Sequence, residues 1–211
     1  GIKCLNLNGT NTCVFKDKFN YIHIINMSSR TESNYNTSSQ NESFQTVPAI
    51  GDIDNDGSIE AVFWFNGNDD FSYGFEVFDL NNRSLKKSFN NVGYIDDIFT
   101  TPTSATYQLK GQPVLIDLNN DNKLEIAASV FYDDHTLPAN DDWFTELFVY
   151  SPNGTKLFSK CEPGLNGCND GVGPNRWEGS NPFILDLNNT GINSICFFKD
   201  KKINIFKILI N

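Results

Sequence analysis

The nine residues Asp52-Ile-Asp-Asn-Asp-Gly-Ser-Ile-Glu60 put side-chain oxygens at positions one, three, five and nine. Four carboxylates, Asp52, Asp54, Asp56 and Glu60, have no reason to converge without a cation, because like charges repel. Gly57 at position six permits a sharp turn, and the carbonyl of Ser58 at position seven can face the same point. Together these groups supply the six or more oxygens that calcium prefers. Ile53 and Ile59 would point away and anchor the loop. An EF-hand would need a bidentate Glu at position twelve and a helix on each side. Position twelve is Phe63, and the run Ala-Val-Phe-Trp-Phe around it reads as a strand, so this is a different kind of loop.

The elements that must hold the loop come in repeats. The segment Pro48 to Phe63 superimposes on Pro113 to Ala128 and on Pro182 to Phe197. The first aspartates are Asp52, Asp117 and Asp186, a period of 65 and then 69. A fainter copy opens the chain, where Cys13 to Asp17 matches Cys196 to Asp200 and Leu5 to Asn8 corresponds to Leu185 to Asn188. The chain is thus expected to begin inside one repeat and end inside another. In each repeat a short apolar strand precedes the loop and a second follows it: Ala61 to Phe65, Ile126 to Phe131, Ile195 to Phe198. A third strand follows at Gly74 to Leu80, Glu146 to Tyr150 and Ile203 to Ile210. Hairpin turns at Leu80 to Arg83 and Ser151 to Gly154 lead to a fourth, more polar strand. The expected fold is all-β, a β-propeller-like array of four-stranded antiparallel blades whose inner strands are buried and whose outer strand meets water. It is read as a single repeat domain over 1–211, with approximate repeats 1–44, 45–108, 109–178 and 179–211.

With the Asp-x-Asp-x-Asp-Gly-x-x-Glu loop set between two apolar strands, the chain resembles the FG-GAP or VCBS-type repeats of integrin-alpha-like β-propellers. The resemblance implies a structural calcium ion in the loop, held by Asp52, Asp54, Asp56, the Ser58 carbonyl and Glu60. It implies a second at Asp117, Asn119, Asp121, the Lys123 carbonyl and Glu125, where Asn122 takes the place of the usual Gly. The third copy offers Asp186, Asn188, Thr190 and Ser194 and has lost two carboxylates, which leaves a third ion doubtful. The first copy has only Asn6 and Asn8, and no ion is expected there.

Composition bounds the setting. Charged residues are 20% and hydrophobic residues 39%, as in a globular protein. The 18 Phe, with Val, Ile and Thr, favour strands. A net charge of −10 with no Lys/Arg cluster argues against nucleic acid. No run of 18 apolar residues suggests a membrane span. Of five cysteines, Cys4 with Cys13 and Cys161 with Cys168 lie close in sequence, which leaves Cys196. Four paired among five allow fifteen arrangements, of which local pairing is the one expected. Sequons at Asn8, Asn26, Asn36, Asn41, Asn82, Asn153 and Asn188 agree with disulfides in pointing to secretion or the extracellular surface.

No nucleophile elbow, phosphate loop or dinucleotide fingerprint occurs, and the only histidines are His23 and His135. A non-enzyme is expected. The connections Asn66 to Tyr73, Asn90 to Tyr107, Asp133 to Trp143 and Asn169 to Asn181 read as long loops. They carry Phe71, Tyr94, Trp143, Arg176 and Trp177 as possible ligand contacts. The expected function is recognition or adhesion by a calcium-stabilised extracellular module with a protein or glycan ligand. The alternative is a structural subunit of an extracellular coat or filament, and a polysaccharide-lyase-like enzyme ranks a distant third. The apolar terminal strand Ile203 to Ile210 would be a sticky edge if left open. Its pairing with another chain is the expected solution, with a four-bladed ring close behind.

Overall fold

The dipeptide Asn8-Gly9 suits a two-residue hairpin, which needs positive φ at both positions; here they are 50° and 80°. The turn joins β1 (Lys3–Leu7) to β2 (Thr10–Lys16), and β3 (Tyr21–Asn26) and β4 (Thr31–Asn36) continue the antiparallel meander. The N-terminal repeat, expected to be partial, therefore has four strands. Its ladder sets Cys4 opposite Cys13 and Asn6 opposite Asn11. Phe183 likewise faces Cys196 in the last repeat, so β1 sits one residue away from the sequence alignment.

The computed structural model describes residues 1–37, 47–66, 72–100, 105–134, 143–161, 183–185, 194–199 and 202–206. These are all-β, with no helix among them. The chain, read above as one repeat domain, divides into two compact units, 1–100 and 101–211.

In the first unit a second sheet follows the meander. It contains β5 (Ala49–Gly51), β6 (Glu60–Asn66), β7 (Ser72–Asp79), β8 (Ser84–Leu85) and β9 (Tyr94–Thr100). β7 pairs with β6 along one edge. β8 and β9 share its other edge, β8 beside Phe78 and Asp79 and β9 beside Ser72 to Glu76. The segment Asn90 to Tyr107, expected as a loop, is corrected here: it contains β9 and the start of β10. Val14, Ile22 and Ile24 of the meander pack on Ala61, Phe63, Phe78 and Leu80 of the second sheet, and all are buried.

The second unit contains β10 (Ala105–Lys110), β11 (Val114–Ile116), β12 (Glu125–Asp134), β13 (Trp143–Tyr150) and β14 (Lys156–Cys161). β10 and β11 share one edge of β12, and the order is β10-β12-β13-β14. A three-stranded sheet follows, built from β15 (Phe183–Leu185), β16 (Ser194–Lys199) and β17 (Lys202–Phe206). Ile195 of this sheet packs on Ile116, Leu118, Ala127, Leu147 and Val149.

The ladders show why the repeats align in sequence. Gly51 faces Glu60, Ile116 faces Glu125, and Leu185 faces Ser194. In three repeats, then, the strands flanking this segment form the same antiparallel pair in the same register.

Candidate functional site

Two loops that differ in sequence fold the same way. In the first, Asp52 Oδ1 and Oδ2 accept the N–H groups of Asp56 (3.1 Å) and Gly57 (2.9 Å). In the second, Asp117 Oδ1 and Oδ2 accept those of Asp121 (3.2 Å) and Asn122 (2.9 Å). Asp56 then accepts from Ser58 N–H at 2.8 Å, and Asp121 from Lys123 N–H at 2.9 Å. Glu60 Oε2 reaches back to Ile53 N–H at 3.0 Å, and Glu125 Oε2 to Leu118 N–H at 2.8 Å. Left-handed backbone is needed at positions four and six. Asn55 (59°) and Gly57 (88°) supply it in one loop, Asn120 (60°) and Asn122 (64°) in the other. Asn serves in place of Gly because its short polar side chain tolerates that region. Ile53 and Leu118 are buried beneath the two loops, as anchors should be.

Asp52, Asp54 and Glu60 bring carboxylate oxygens within 4.8 Å of one another, a spacing that could hold a metal ion. The equivalent trio of the second loop is Asp117, Asn119 and Glu125, with an amide in place of one carboxylate. Asn119 there donates from Nδ2 to Asp121 Oδ2 at 3.2 Å. Both glutamates are buried. Burial, with the charge of Asp54 adding to it, pushes Glu60 up to about 7. Burial raises Glu125 as well, reinforced by Asp121 and Asp117.

The first loop contains a group that motif reading did not anticipate. Lys86 Nζ donates to Asp54 Oδ1 at 3.0 Å, Asp56 Oδ2 at 2.6 Å and Glu60 Oε1 at 3.0 Å. Its side chain is 8% exposed. Burial alone would lower the Lys86 pKa, but the three carboxylates raise it well above its ordinary value. The hydrogen bond from Lys86 in turn lowers Asp56. Lys86 follows β8 directly and is held by its own backbone: its N–H donates to Val77 O at 2.8 Å. The next turn is tied by Phe89 N–H to Lys86 O (2.9 Å) and Gly93 N–H to Phe89 O (2.8 Å), with Phe89 fully buried.

The other expected site residues are distributed as follows. Asp186, Asn188 and Thr190 lie outside the described residues, and Ser194 begins β16 and is buried. Cys4 and Cys13 form a disulfide across β1 and β2. Cys161 ends β14, Cys168 lies outside the described residues, and Cys196 is a buried thiol. Among the sequon residues, Asn8, Asn36, Asn82 and Asn153 are exposed and Asn26 is half-buried; Asn41 and Asn188 lie outside the description. Trp143, expected in a loop, is the first residue of β13, opposite Asp133. Arg176 and Trp177 lie outside the described residues, as does His135. His23 is held between Asp17 (Nε2 to Oδ2, 3.1 Å) and Glu32 (Nδ1 to Oε1, 2.5 Å), and its ring stacks on Phe15 at 4.4 Å.

Two further features of the first unit carry no motif. Lys16 of β2 and Glu76 of β7 pair at 2.6 Å between the two sheets, each 1% exposed, and Thr37 Oγ1 also donates to Glu76 at 3.3 Å. A cleft of about 260 Å³ is lined by Thr12, Asn26, Thr31, Ser33, Asn81 and Arg83 among others. Among the described residues no helix is long and apolar enough to cross a membrane. No family model matches the chain, and no match is found among characterised proteins or solved structures.

Proposed function

We propose that this chain is an extracellular, calcium-stabilised module of β-propeller type, serving recognition or adhesion rather than catalysis. One observation carries the reading: the carboxylate loop occurs twice, with the same left-handed backbone positions, the same four backbone N–H to carboxylate hydrogen bonds and the same place in the ladder. Ordinary turns between strands have no need to gather acidic oxygens in so reproducible a way. The second loop fits the ion well. Asp117, Asn119, Asp121, Glu125 and the Lys123 carbonyl offer only hard oxygen donors, the set suited to calcium. A cation there would also relieve the charge that Asp121 and Asp117 impose on buried Glu125. The Cys4–Cys13 disulfide supports an oxidising compartment. The hydroxyl, amide and guanidinium groups of the cleft match what a glycan would hydrogen-bond. The family proposed is that of FG-GAP or VCBS-type repeats, on the strength of the repeated loop and its flanking strands.

Melting curves in chelator and in millimolar calcium test the first part. Calcium should raise the transition of the 101–211 unit, and Asp121→Asn should abolish the rise. Superimposable curves would reject it. A glycan and protein array probed in calcium and in chelator tests the second part. Calcium-dependent binding supports recognition. A blank array from a protein that forms ordered polymers would replace this reading with that of a structural subunit.

A further inference from the structure

We infer that Lys86 is the resident cation of the first carboxylate loop, so that this chain closes one loop with its own ammonium and leaves only the second to a metal ion. The inference rests on the calcium reading of the second loop and departs from the family expectation at the first.

Three observations lead to it. First, the ammonium touches Asp54, Asp56 and Glu60, three of the five groups expected to ligate the ion. A metal bonded to the same oxygens would sit against a positive charge, and like charges at such distances repel strongly. Second, Lys86 is built in rather than laid on. Its N–H is fixed to Val77, and the turn after it is plugged by Phe89. Gly93 completes that turn at φ +94°, and a Cβ there would lie 2.6 Å from Leu85 Cβ. The approach that delivers Lys86 to the loop therefore excludes any larger residue at 93.

Third, among the described residues the second loop lacks both halves of the arrangement. Val62 faces Val77 as Ala127 faces Val149, so the place of Lys86 falls at the irregular Leu157-Phe158 step of β14. Lys156 is turned elsewhere, over the rings of Phe148 and Tyr150. In the same loop the counterpart of Asp54 is Asn119. Among the described residues, the extra carboxylate and the lysine occur together in one repeat and are absent together from the other. A charge and its internal counter-ion would vary in this way.

Calcium titration of the intact, metal-stripped chain by calorimetry tests the inference. Wild type should bind one ion, Lys86→Met two, Asp121→Asn none, and the double variant one. Lys86→Arg, which keeps the positive charge, should stay at one. Two ions in wild type, unchanged in Lys86→Met, would overturn the inference and leave the calcium reading intact. No ion in wild type with one in Lys86→Met would uphold the inference and reject calcium at the second loop. A Lys86→Met protein that gains no ion overturns it. Lysine acetylation of the folded wild type is a second measurement, independent of any variant. Lys86 should resist acetylation in chelator and in calcium alike while exposed Lys87 reacts, and equal labelling of the two would overturn the assignment.

Discussion

Replacing Lys16 by methionine should unfold the first unit far more readily than its size suggests. Lys16 and Glu76 are each 1% exposed and meet at 2.6 Å between the meander and the second sheet. Burial holds the Lys16 ammonium below its ordinary pKa, and the neighbouring Glu76 carboxylate offsets only part of that lowering. Removing one partner of such a buried pair costs about 3–5 kcal/mol. Against a total of about 5–15 kcal/mol for a domain, that is a large share. Glu76→Gln should cost a similar amount. The double variant Lys16→Met/Glu76→Leu removes both charges and should cost clearly less than the two singles together, since a well-packed apolar pair often matches a buried ion pair. Urea denaturation followed by Trp64 fluorescence reads this directly. Trp64 is fully buried in the same sheet as Glu76, and Trp143 and Trp177 can be changed to Phe. Single-variant losses below about 1 kcal/mol, or a double variant as costly as the sum, would refute the reasoning.

Three other outcomes follow from the same contacts. Burial lowers the His23 pKa, but Glu32 and Asp17 outweigh it and the net shift is upward. His23 therefore contributes stability that is complete below about 6.5, its unfolded value, and is lost as pH rises through the folded value; His23→Gln should remove this part of the pH profile in urea titrations. Reducing Cys4–Cys13, which closes a short loop, should cost about 2–3 kcal/mol, read as a lower midpoint in the presence of reductant. Gly93→Ala should destabilise the first unit by about 1–3 kcal/mol through its positive φ and its contact with Leu85, and acetylation of Lys86 should rise with it.

The carboxylate loops were legible because their chemistry is local. Oxygens at every second position between two apolar runs constrain nine residues and nothing else. Lys86 was not legible, because its role depends on a turn at 86–93 whose Asn90, Asn91 and Gly93 read as ordinary loop residues. β9 was missed for a related reason. Tyr94-Ile-Asp-Asp-Ile-Phe-Thr100 carries two central aspartates, and its pairing with β7 comes from tertiary context that an alternation rule cannot see. The Lys16–Glu76 pair did leave a trace, a single opposite charge inside each of two apolar strands (Cys-Val-Phe-Lys16 and Gly-Phe-Glu76-Val-Phe). That trace has meaning only once the two sheets are known to face each other. Repeat period and hairpin turns marked the strands that flank each loop, whereas the places of β9 and β10 and the contacts between sheets came from packing.

The disulfide of the first hairpin also has a mechanical consequence. A pull applied at Gly1 reaches Cys4 and crosses directly to Cys13, so the turn between them carries no load. Force then enters the β2–β3 ladder, where the pairs from Thr12–Asn26 to Lys16–Ile22 would bear it together. In reduced protein the β1–β2 pairs would part first, one after another, and release about 30 Å of hidden chain length at roughly 3.3–3.6 Å per residue. Stretching single molecules in oxidising and in reducing buffer would show that increment as an early, low-force step present only after reduction. Under load, such a clamp would keep this hairpin from parting before the ladder that follows it.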